Sequence, residues 1–159
     1  MTNMRTKIKI VISWILVIIW ASVIFYLSSR TAADSTVQSR GLINSFTGLL
    51  GFFIQNEETL TRVDGIVRES AHGVEYLILG IFVFNALYTT LNYRFRALNC
   101  FICSWLICCI YAITDELHQI PVPGRTFQVL DLVIDFAGSV IGIIAVYILF
   151  TVLKKSKKH

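Results

Sequence analysis

The sequence predicts an all-α integral membrane protein, a four-transmembrane-helix bundle with an amphipathic helical segment in a long first outer loop. Three observations carry that expectation. First, the 159 residues are 55% hydrophobic and only 15% charged, where ordinary soluble domains hold ~25% charged residues; mean hydropathy is +0.69. A chain this short cannot bury so much apolar surface in water, which sets aside a soluble enzyme, a disordered regulator and a disulfide scaffold. Second, four apolar runs approach the roughly 20 residues that a helix needs to cross hydrocarbon about 30 Å thick. Third, no alternating ten-residue strand pattern is present, which leaves helices as the spanning element.

Residues 8–27 form an uncharged run. It exceeds the ~7–15 apolar residues of a secretory signal, so it reads as an uncleaved anchor. In the outer loop, residues 28–71, Leu42, Phe46, Leu49 and Phe53 recur at helical spacing with Ile43, Leu50 and Phe52 beside them. That pattern predicts an amphipathic helix lying on the outer surface or capping the bundle. Leu60, Val63 and Val67 then predict a helix running straight into span two, residues 74–91, whose one acid is Glu75. Span three, residues 97–113, is uncharged, and span four, residues 129–153, carries Asp131 and Asp135 near its start. Gly138-x-x-x-Gly142 marks a close-packing face of span four. No linker, repeat or low-complexity tract interrupts the chain, so residues 1–159 read as one domain.

Nine of the fourteen basic residues flank the same ends of the spans: Arg5, Lys7, Lys9, Arg94, Arg96, Lys154, Lys155, Lys157 and Lys158. The positive-inside rule then predicts a multi-pass cell-membrane protein with both termini cytoplasmic. Topology accounts for these bases, so nucleic-acid binding is not expected. Homodimerisation is compatible with the sequence. Cys100, Cys103, Cys108 and Cys109 all fall on span three and read as reduced, inert thiols.

The polar residues gather at the outer end. His72, Glu75 and Tyr76 share a stripe of span two. Asp115, Glu116, His118 and Gln119 follow span three, and Asp131 and Asp135 open span four in line with Gly138 and Gly142. Glu75, Asp115, Glu116, Asp131 and Asp135 give five potential negative charges, against the positive Arg68 and Arg125. Unpaired charge in a membrane segment is costly enough to make such residues functional candidates. Three resolutions stay open: a polar bolt that only locks helix packing, a metal held with His72 or His118, or an amphiphile headgroup entering from outside. No His-Glu-x-x-His spacing fixes a metal geometry.

If the cluster is a site, a pocket walled by spans two, three and four is expected. His72 would transfer a proton or act as a ligand, and Glu75, Glu116 and Asp135 would be acceptors or cation ligands. Arg125 would hold a phosphate or balance Asp131, while Arg68, Tyr76, Asp115 and Gln119 would line the pocket. Glu116 or His118 is the expected general base, since each would reach water at the rim.

Residues 68–76 (RESAHGVEY), residues 111–119 (YAITDELHQ), Pro123-Gly124-Arg125 and Asp131-x-x-x-Asp135-x-x-Gly138 together resemble the VanZ-like family, as does Tyr26-Leu27-Ser28-Ser29 with the serines beyond it. The resemblance covers nearly the whole chain. It implies a small bacterial membrane protein of the cell envelope, in a family named for a protein that lowers susceptibility to teicoplanin, a lipid-tailed antibiotic. A lipid-linked wall precursor, a lipid headgroup or a lipoglycopeptide is the partner it suggests. Two positions depart from the pattern: Glu69 stands where a basic residue is usual, and Pro121 where an aromatic is. The first adds negative charge beside the site and argues against a strictly anionic headgroup.

Overall fold

A computed structural model of the chain describes residues 3–45, 56–91 and 97–156, which form five helices. Helix α1, Met4–Ser28, is capped by the Asn3 side chain, which accepts from the Arg5 N–H. It leaves most of its apolar surface outward, with Ile18 64% and Ile19 54% exposed, as a helix facing lipid would. Helix α2, Ala32–Ser45, starts about ten residues before the predicted amphipathic stretch. Its start is capped by Thr31, whose Oγ1 accepts from the Asp34 N–H at 3.2 Å and donates to the Asp34 carboxylate at 2.8 Å. Leu42 and Ile43 belong to α2; Phe46, Leu49, Leu50, Phe52 and Phe53 lie outside the described residues.

Helix α3, Glu57–Thr90, is the axis of the molecule. Its N-cap Asn56 accepts from the Thr59 N–H at 2.8 Å, and Glu57 and Glu58 sit at its positive end. The stretch carrying Leu60, Val63 and Val67 and span two are therefore one helix, as expected. Its 34 residues give a length of about 51 Å, longer than the ~30 Å of hydrocarbon that a spanning helix crosses. Helix α4, Ala97–Gln119, continues past the predicted span end and carries Asp115, Glu116, His118 and Gln119 in helical register. A turn at Gly124, with φ +76°, then reverses the chain, and only glycine holds that conformation at little cost. The Pro123 carbonyl accepts from the Ala32 N–H, tying this turn to the start of α2. Helix α5 is Val129–Ser156. Four of the five helices, all but α2, are long and apolar enough to cross a membrane.

Helix α3 touches all four others and meets α5 most intimately. Glycine makes that approach possible. A methyl at Gly138 would strike the Gly73 carbonyl oxygen, one at Gly142 the Leu77 carbonyl oxygen, and one at Gly80 the Ser139 backbone. The predicted small-residue face of span four is thus its seam with α3. Helix α1 is fastened to α3 by indole bonds, Trp20 Nε1 to the Glu75 carbonyl at 2.9 Å and Trp14 Nε1 to Thr90 Oγ1 at 3.0 Å. Tyr111 of α4 donates to the Ala21 carbonyl at 2.6 Å. Ile24, Tyr76, Leu79, Val83, Cys108 and Ala112 pack into the central core. All four cysteines are free thiols.

Candidate functional site

The polar residues predicted as a group do gather at one end of the bundle, where α1 turns into α2 and α4 turns toward α5. They fall into three sets. The first is a network of satisfied hydrogen bonds. Asp115 accepts from Ser28 Oγ at 2.7 Å and from Gln119 Nε2 at 3.3 Å. Glu116 accepts from Gln119 Nε2 at 3.3 Å and, through its other oxygen, from the Gln128 N–H at 3.0 Å. Gln119 Oε1 accepts from Arg125 Nη1. Asp115, Glu116 and Gln119 are each 3% exposed or less. Helices α1 and α4 and the segment leading into α5 are locked together here.

Arg125 extends that network toward α2. Besides Gln119 it donates to the Arg30 carbonyl at 3.4 Å and to Ser35 Oγ at 2.7 Å. Every one of those acceptors is neutral. The only salt bridge among the described residues is Arg62–Glu58, on the surface of α3; Asp131 acts on Arg125 electrostatically without a salt bridge to it. Burial, and then the nearby Arg68, pull the Arg125 guanidinium below the ordinary arginine pKa; it stays a cation at neutral pH.

The second set lines two cavities that share Arg68 and His72. One, of about 110 Å³, is walled by Ser28 at the end of α1, by Ser35, Gln38, Ser39 and Leu42 of α2, by Arg68, His72 and Glu75 of α3, and by Arg125. The other, of about 140 Å³, is lined by Gly65, Arg68, Glu69, His72, Gln128 and Asp131. Arg68 has no ion pair among the described residues, and His72 Nδ1 is buried without a hydrogen-bond partner there. Helix α2 is held over the first cavity by a hydrogen bond from Ser39 Oγ to the buried carboxylate of Asp64.

The third set lies deeper in the bundle. Tyr76 is fully buried and its hydroxyl has no hydrogen-bond partner among the described residues; Asp135 is 1% exposed and neither carboxylate oxygen has one there; Asp115 Oδ1 is likewise without a partner among them. The electrostatic neighbours of Asp135 are Asp115, Glu116, Asp131 and Glu75, carboxyls all.

Several expectations change. The cavity that holds both Arg68 and Arg125 is walled by α2 and the end of α1 where span three was expected, because α4 turns its acids inward onto Ser28 and Gln119. Glu116 does not reach the rim, since it is 1% exposed with both oxygens engaged. His118 lines neither cavity. It stacks on Phe25 with ring centroids 4.2 Å apart, and its Nε2 lies 3.1 Å from Ser29 Oγ. Among the described residues, no three His, Cys, Asp or Glu side chains converge to hold a metal ion. Ser28, Ser35, Ser39 and Gln38 were not singled out from the sequence as site residues. The readable signal for them was the Thr31–Asp34 cap followed by Ser35, Gln38, Ser39 and Leu42 at helical spacing.

A family model described as VanZ/LLP1 matches residues 13–151. No curated protein and no solved structure matches the chain. A match of that extent over four apolar helices makes this a multi-pass membrane protein, and the chain belongs to the VanZ/LLP1 family.

Proposed function

We propose that this protein holds the polar head of a membrane amphiphile in the Arg68–His72–Arg125 cavity, on the outer face of the cell membrane, while the tail stays in the bilayer. The observation that carries this is the pair of guanidinium groups, Arg68 and Arg125, facing one cavity with no ion pair among the described residues. Two guanidinium groups without a salt bridge among the described residues, beside a half-buried histidine, suit a phosphate oxygen cluster. The positive-inside rule puts this end outside, because the basic flanks stand at the other ends of the spans. A lipid-linked wall precursor, a phospholipid or a lipophilic glycopeptide would each present a suitable head, and occupancy by the last would connect the site to teicoplanin susceptibility.

His72 is then the proton-transfer or ligand group, and Glu75 accepts hydrogen bonds from the head. Asp131 lies at the second cavity, whereas Asp135 and Tyr76 form a polar floor within the bundle. Asp115, Glu116 and Gln119 are assigned to structure, since their satisfied bonds join three segments. The test is calorimetric titration of the detergent-solubilised protein with short-chain phosphatidylglycerol and with teicoplanin, for wild type and Arg68→Gln. Saturable binding that the substitution weakens supports the proposal. Equal heats in both proteins would refute it.

A further inference from the structure

The two cavities carry opposite formal charge. Arg68 and Arg125 against Glu75 give the one beneath α2 a net positive lining. Arg68 against Glu69 and Asp131 give the other a net negative lining. Neither Glu69 nor Asp131 forms a salt bridge among the described residues, and Asp131 is only 7% exposed. Arg68 and His72 border both spaces, so one ligand seated against that pair reaches a cationic chamber on one side and an anionic chamber on the other. A purely anionic head would satisfy the first and be repelled by the second.

We infer that the site takes a zwitterionic head, a phosphate joined by a short link to a primary ammonium. The inference rests on the headgroup function proposed above. The phosphate accepts from Arg68 and Arg125. The ammonium donates to Glu69 and Asp131, with the exposed Gln128 at the same wall. Paired this way, the buried carboxylate of Asp131, which has Arg68 and Arg125 near it but no salt bridge among the described residues, gains a direct cationic partner. The chemistry is that of a phosphoethanolamine group, whether on a lipid or free.

The probes are dihexanoyl phosphatidylethanolamine, dihexanoyl phosphatidylglycerol, which keeps the phosphate but lacks the ammonium, and free O-phosphoethanolamine. Each is titrated into the full chain in a non-ionic detergent. The ethanolamine lipid is expected to bind at least tenfold more tightly than the glycerol lipid. Glu69→Gln and Asp131→Asn should each shrink that preference and together abolish it, with glycerol-lipid affinity unchanged or improved. Glu69, partly exposed on α3, gives a variant that does not depend on the packing around Asp131. Equal affinities in wild type, or a preference that survives both substitutions, would overturn the inference while leaving the headgroup function standing. Binding of neither lipid would bring down the headgroup function itself. Comparing the free phosphoethanolamine with the lipid fixes the source: equal affinity assigns a soluble zwitterion, and weaker binding of the free head assigns the lipid.

Discussion

Asp115 and Asp135 sit at one end of the same bundle, are equally buried, and should respond in opposite directions to the same change. Leucine has the heavy-atom skeleton of aspartate, so Asp→Leu removes polarity while nearly preserving shape. At Asp135 it deletes two buried oxygens that have no partner among the described residues and whose neighbours are other carboxyls. Burying an unsatisfied polar group costs ~1–3 kcal/mol, so Asp135→Leu should stabilise the protein by about that amount. At Asp115 the change removes the acceptor of the 2.7 Å bond from Ser28 and the 3.3 Å bond from Gln119. Ser28 is 1% exposed and would be left with a buried hydroxyl unpaired. Hydrogen bonds to a charged group contribute ~1.5–3 kcal/mol, so Asp115→Leu should destabilise by roughly 2–3 kcal/mol. Each kcal/mol moves the melting temperature of a chain this size by roughly 2–4 °C. Tryptophan fluorescence during thermal unfolding in detergent reads both shifts. Shifts of the same sign, in either direction, would refute the division of this cluster into a bolt and a set of unsatisfied groups.

Other consequences follow from the packing and from the cavity. Gly142→Ala should cost ~1–3 kcal/mol through overpacking against the Leu77 carbonyl, whereas Gly41→Ala, which meets nothing within 4 Å, should gain ~0.5–1 kcal/mol of helix propensity. Thermal unfolding of the two variants checks the contrast. Ser39→Ala takes from the buried Asp64 its donor on α2, at a cost of ~1–3 kcal/mol, and limited proteolysis should cut the α2 region sooner than in wild type. Arg125→Gln removes a charge-assisted phosphate contact worth ~1.5–3 kcal/mol, so calorimetry should show phospholipid affinity falling roughly ten- to hundredfold.

Much of the scaffold was legible because membrane insertion writes itself locally. Long apolar runs, flanking bases and the Gly138–Gly142 stripe follow from constraints that act on one helix at a time. Asp131 and Asp135, four residues apart and in line with those glycines, could be placed on the buried seam with α3 for the same reason. The cavity walls were harder to read. Ser35, Gln38 and Ser39 form a polar stripe on a short helix, and a polar stripe looks the same whether it meets water or another polar wall. The pairing of α2 with Arg68, His72 and Arg125 joins segments dozens of residues apart, brought together by the turn at Gly124 docking on Ala32, by Arg125 on Ser35 and by Ser39 on Asp64. The misplacement of Glu116 at the rim has a related cause. Its helical position was right, but its carboxylate is consumed by Gln119 and by the Gln128 N–H beyond the turn, a partnership that helical spacing alone does not reveal.

The central claim is that a phosphate-bearing head sits against the Arg125 guanidinium. Solid-state NMR of arginine-¹⁵N-labelled protein in phospholipid bilayers measures this contact through the dipolar coupling between guanidinium nitrogen and phosphorus. A guanidinium resonance that dephases strongly against phosphorus, and disappears in Arg125→Gln, is the predicted result. An assigned Arg125 resonance with no phosphorus dephasing, while arginines at the membrane surface show it, would contradict the account.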